Sequence, residues 1–85
     1  MHHSDVLASV KRPIPKECRK FGAAVRVRRR ALELSQEEFA EKVDCHRNFV
    51  GRIERGEQNP TVDTLVRIAK ALRCKVRDLI IEAGL

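Results

Sequence analysis

Eighty-five residues make one small domain, long enough to fold alone but with a core thin enough that burial against a partner would help it. No run approaches the ~20 apolar residues of a membrane span, and the opening "MHHSDVLASV" lacks the basic start and long apolar centre of a signal peptide, so a soluble, cytoplasmic protein is expected. The net charge of +6 and a pI of ≈ 9.8 suit an anionic partner, nucleic acid before an anionic membrane surface.

Along the chain, residues 1–14 carry no periodic pattern. Pro13 and Pro15 bracket Ile14 and oppose an earlier helix start. Residues 1–15 are therefore expected to be a flexible arm, with Lys11 and Arg12 near its base. From Lys16 the pattern is helical: Phe21, Val25, Arg29 and Leu32 share one face, and Arg29 is out of place among them. Ser35 opens a second helix, because "SQEE" is a capping box that pairs the Ser35 hydroxyl with the Glu38 N–H. Phe39, Ala40 and Val43 form its apolar face, and Asp44 stands where the chain must turn. A third helix is expected over about 47–55, with Val50 and Ile53 inward and Phe49 beside them; Gly56 closes it. Its outward face carries Arg47, Asn48 and Arg52, long polar groups that are costly to immobilise without a recipient. Thr61 caps a fourth helix with Leu65, Ile68, Ala69 and Leu72 on one stripe. "VRDLIIEAGL" gives a short fifth helix, in which Ile81 and Leu85 point partly away from the stripe of Val76, Leu79 and Ile80. The reading is five helices with no strand signal and no repeat.

Charge is uneven along this layout. Residues 1–34 hold 9 basic and 3 acidic side chains, whereas residues 35–60 hold 4 basic and 6 acidic ones. The central arginines are thus placed singly, which favours specific contacts over a uniform attraction. The cysteines at 18, 45 and 74 match no zinc or redox spacing and read as reduced thiols. Cys45 near a helix start raises a redox switch as an alternative, and His2 and His3 raise a metal site, but a plain thiol and a plain terminus are the simpler readings. No metal or cofactor is expected.

The segments "LSQEEFAEKV" and "HRNFVGRIERGEQNPTVDTLVRIAKAL" resemble the Cro/repressor-type helix-turn-helix family, also called the xenobiotic-response-element family. The resemblance spans about Phe21 to Ile80. It implies an all-α, compact five-helix fold of the lambda-repressor type for residues 16–85. It also implies a binding mode in which the second helix crosses the DNA backbone and the third lies in the major groove. Carried over by position, Arg47, Asn48 and Arg52 would read base edges. Gln36, His46 and Arg55 would meet phosphates, with His46 alternatively at an outer base; Arg28 is the basic residue of the first helix best placed to join them. Arginine matches guanine O6 and N7, and asparagine matches adenine N6 and N7. Arg29 and Glu54 would form a structural pair. Gly51, a small residue on the reading side, would permit close approach to DNA or to the first helix.

Three positions depart from the family's pattern. Asp44 and Arg73 stand where glycine is usual, and Lys75 stands for a serine-type cap, which leaves the start of the fifth helix open.

The expected function is a sequence-specific transcriptional regulator that binds a pseudo-palindromic operator in double-stranded DNA as a homodimer. Val76, Leu79, Ile80, Ile81 and Leu85 would form the dimer interface. A stand-alone unit of this kind resembles restriction–modification controller proteins, phage-type repressors and antitoxin-type regulators, with no membrane role or small-molecule ligand expected. A protein-interaction module is the alternative. An enzyme is not expected, because the carboxylates are scattered and only one histidine is central.

Overall fold

The computed structural model of the chain describes residues 13–85. Most of the expected arm, with His2, His3, Lys11 and Arg12, lies outside the described residues. Five helices follow in order: α1 (Glu17–Ala31), α2 (Gln36–Val43), α3 (Arg47–Glu54), α4 (Val62–Ala71) and α5 (Val76–Glu82). There is no strand among the described residues.

The helix starts follow from local chemistry. The Ser35 Oγ accepts from the Glu38 N–H at 3.0 Å, and the Ser35 N–H donates to Glu38 Oε1 at 2.8 Å. Thr61 Oγ1 accepts from the Thr64 N–H at 3.2 Å. Such caps contribute ~1 kcal/mol each. Lys75 supplies no side-chain acceptor; instead its N–H donates to Asp78 Oδ2 at 2.9 Å, which sets the start of α5 at Val76. The aspartate three residues on thus supplies the return half of a capping box, while no side chain takes the place of the serine-type acceptor.

The helix ends share one device. Each helix is followed by a residue in the left-handed region: Glu33 (φ 58°), Asp44 (φ 63°), Gly56 (φ 75°), Arg73 (φ 59°) and Gly84 (φ 78°). The next residue's N–H then bonds back to a carbonyl five positions earlier, from Leu34 to Arg29, Cys45 to Ala40, Glu57 to Arg52, Cys74 to Ala69 and Leu85 to Ile80. These are Schellman closures, which satisfy the orphan carbonyls and reverse the chain within a few residues. Only two of the five use glycine, the residue with no Cβ penalty there.

The core gathers Phe21 and Val25 of α1, Phe39, Ala40 and Val43 of α2, Val50 and Ile53 of α3, Ile68, Ala69 and Leu72 at α4, and Leu79 of α5. Leu79 is completely buried within the protomer. It therefore belongs to this core and does not reach a dimer surface, contrary to expectation. Val76 and Ile80 are half-buried against the same core, whereas Ile81 is 69% and Leu85 45% exposed.

Close approach of α1 to α3 depends on a different glycine from the one expected. A Cβ on Gly22 would lie 2.2 Å from the Ile53 carbonyl oxygen and 2.7 Å from that of Glu54. Gly51 instead faces the guanidinium of Arg55, four residues on. Gly56 completes the α1 contact, since a Cβ there would meet Arg19 Cα at 2.5 Å.

Candidate nucleic-acid interface

α3 is held from beneath by an ion-pair network. Arg29 Nε donates to Glu54 Oε2 at 2.6 Å and Arg29 Nη2 to Glu54 Oε1 at 3.0 Å, a fork-to-fork pair. Arg29 Nη1 also donates to the Leu34 carbonyl at 2.8 Å. Two further donors reach Glu54 Oε1, Gln36 Nε2 at 3.1 Å and Arg26 Nε at 3.3 Å. The Glu54 side chain has no solvent exposure. Burial pushes its carboxyl up, but hydrogen bonds from Arg29, Gln36 and Arg26 and the charge of Arg29 outweigh this and hold it below the usual carboxylate range. This one network ties α1, α2 and α3 together.

Above it, Gln36, Arg47, Asn48, Gly51, Arg52 and Arg55 line one shallow depression of about 370 Å³. α2 contributes its first residue, and α3 contributes the rest together with the residue that closes it. Arg47, Asn48 and Arg52 are all exposed. Five of the residues singled out in the sequence are therefore brought together around Gly51.

His46 stands at the edge. Its Nδ1 accepts from the Asn48 N–H at 3.0 Å and caps α3, which leaves Nε2 to carry the ring proton. Arg55 lies over Gly51 and pairs with Glu57 at 3.1 Å; both side chains are about half exposed. That hydrogen bond raises the Arg55 guanidinium and lowers the Glu57 carboxyl. Arg52 sits over the Phe49 ring, 5.9 Å from its centroid, and its Nε donates to Gln58 Oε1 at 3.4 Å.

Arg28 is placed elsewhere. Its Nε and Nη2 both donate to the Glu82 carboxylate, so it clamps α1 to α5 and is not among the residues that line the depression. The links from Gln36 and Arg26 to Glu54 were not foreseen. They join residues 18 and 28 positions apart, and no local pattern signals them.

No cluster of metal-ligating side chains occurs among the described residues. Burial pushes the thiols of Cys18, Cys45 and Cys74 up, which disfavours the reactive thiolate at Cys45. No helix among the described residues is long and apolar enough to cross a membrane. What the depression offers is a set of forked and paired donors on the exposed face of a helix, the chemistry that matches base edges and phosphates.

The pattern of the helix-turn-helix family matches residues 25–79. Among individual proteins, the chain is 44% identical over 61 residues to control protein C.SmaI of Serratia marcescens, covering 72% of this chain and 73% of that one. It is 39% identical over 61 residues to control protein C.BamHI of Bacillus amyloliquefaciens, covering 71% and 75%. Among solved structures, the restriction–modification controller protein C.AhdI of Aeromonas hydrophila superposes with a TM-score of 0.74 at 35% identity, over 76% of this chain and 98% of that one. The clp gene regulator ClgR of Corynebacterium glutamicum superposes with a TM-score of 0.80 at 30% identity, over 87% and 95%.

Proposed function

The chain belongs to the helix-turn-helix family, and from that premise we propose that it is a sequence-specific DNA-binding transcriptional regulator of the restriction–modification controller type. The observation that carries the reading is the convergence of Gln36, Arg47, Asn48, Arg52 and Arg55 on one depression. α3 enters the major groove. Arg47 and Arg52 read guanines, and Asn48 reads an adenine. Gln36, Arg55 and the Nε2 of His46 meet phosphates. The similarity to two control proteins supports the controller type over a phage-type repressor.

Two copies form a homodimer through the exposed apolar residues Ile81 and Leu85, flanked by the half-buried Val76 and Ile80. Two-fold symmetry then sets two copies of α3 about 34 Å apart on a pseudo-palindrome. Residues 16–85 are the binding domain.

Selection from a pool of random duplexes at near-physiological salt tests this. An enriched inverted repeat is the expected result. Retention that follows salt concentration alone, with no enriched motif, would reject the regulator reading and leave a protein-interaction module.

A further inference from the structure

Arg52 differs from Arg47 in what surrounds it. The Phe49 ring lies beneath its guanidinium at 5.9 Å, and Gln58, in the loop after Gly56, accepts from its Nε at 3.4 Å. Phe49 is itself half-buried and packed against the core. Gln58 is half-buried too. The guanidinium is thus held on one face by an aromatic ring and on one edge by an amide.

The identity of that amide matters. A carboxylate at 58 would hold the arginine and also neutralise it, as Glu57 does for Arg55 at 3.1 Å. A neutral amide fixes orientation and leaves the charge available. With Nε–H engaged, the two Nη groups remain as a planar pair of donors, the arrangement that meets guanine O6 and N7 side by side. Holding a long side chain before binding also reduces the entropy lost when it engages a base.

We infer that Phe49 and Gln58 are positioning residues that set Arg52 for base recognition, so that the sharpness of one base preference depends on the loop after α3. The inference rests on the reading role of Arg52 given above. Phe49 acts as a platform as well as a core side chain, and Gln58 acts without touching DNA.

The test measures affinity for the selected operator and all its single-base-pair variants. It uses the full chain, its Arg52→Ala variant, Gln58→Ala and Phe49→Leu, each checked for an unchanged helical melt. Arg52→Ala identifies the base pair that Arg52 reads. Gln58→Ala and Phe49→Leu are expected to lower the preference at that base pair by about three- to tenfold, part of what a bidentate arginine supplies. They are expected to leave the preferences read by Arg47 and Asn48, and the salt dependence, unchanged. The inference is overturned if the preference at that position stays sharp in Gln58→Ala and Phe49→Leu, or if all positions weaken together, as a purely structural role would give. If Arg52→Ala itself flattens no position, the reading role of Arg52 fails, and the inference fails with it.

Discussion

The amide of Gln36 donates to the buried carboxylate of Glu54 at 3.1 Å. A residue that lines the candidate DNA-facing depression is therefore also a member of the interior ion-pair network. One Gln36 N–H is spent inward, which fixes the amide's orientation and leaves its other N–H for the phosphate contact proposed above. The interior network and that proposed contact then share one carboxylate.

Glu54→Ala strands the Arg29 guanidinium in the interior. Breaking one partner of a buried pair costs ~3–5 kcal/mol, a large share of the stability of so small a domain. The same carboxyl makes stability depend on pH. Its folded-state pKa lies below the ordinary 4.5, so its contribution is fully present above that value and is lost as pH falls through the folded value. Urea midpoints measured from pH 7 down to about 3 should decline below about 4.5 in the native chain. They should decline less steeply in Glu54→Gln, from a lower plateau.

The left-handed residues give a stabilising change. Arg73 adopts φ 59° with a full side chain, a conformation that costs ~1–2 kcal/mol, whereas glycine adopts it without strain. Arg73→Gly is expected to stabilise by about 0.5–1 kcal/mol once the added freedom of the unfolded chain is counted. Asp44→Gly should gain less, because aspartate tolerates this region. Gly22→Ala should do the reverse, since its Cβ would fall 2.2 Å from the Ile53 carbonyl oxygen; a loss on the order of 3 kcal/mol is expected. Equilibrium denaturation of the three variants checks all three signs.

Ile81 and Leu79 are two residues apart and should fail differently. Ile81 is 69% exposed, so Ile81→Asp is expected to give a folded monomer by sedimentation, with the melting of the protomer little changed. Leu79→Ala opens a cavity in the core and should lose ~2–5 kcal/mol of folding stability. A dimer that survives Ile81→Asp would place the subunit contact elsewhere.

Glu57 holds the Arg55 guanidinium at 3.1 Å on a half-exposed surface. In the proposed complex Glu57 competes with the phosphate that Arg55 meets, and Glu57→Gln removes the competitor. Affinity for any duplex should rise, and the slope of log K against log salt should steepen by up to about one unit. Titration at several salt concentrations reads both.

Much of this architecture is legible in the chain because it is local. The capping box at Ser35 and Glu38, the Thr61 cap and the Gly56 stop act over a few residues, and periodicity marks Phe21, Val25, Val50, Ile53 and Ile68 as inward. The helical positions of Arg47, Asn48 and Arg52 likewise put them on one exposed face, and Gln36 and Arg55, which the family resemblance had singled out, line the same depression. What the chain hides is tertiary. Gly22 looks like any small helical residue until the α3 backbone lies against it. Arg28 is one of a basic run until Glu82, 54 positions away, accepts from its Nε and Nη2. Leu79 and Ile81 are equally apolar, and only the packed protomer separates core from surface.

Base reading by the exposed face of α3, as proposed, is tested most directly at Arg47. Binding of the native chain and of Arg47→Ala is measured on the selected operator and on every single-base-pair variant of it. The native chain should lose ~1–3 kcal/mol at one guanine per half-site, and Arg47→Ala should be indifferent there while keeping its other preferences. If Arg47→Ala instead weakens every sequence by the same factor and only reduces the salt slope, Arg47 is a phosphate contact and the account of α3 as the reading helix is contradicted.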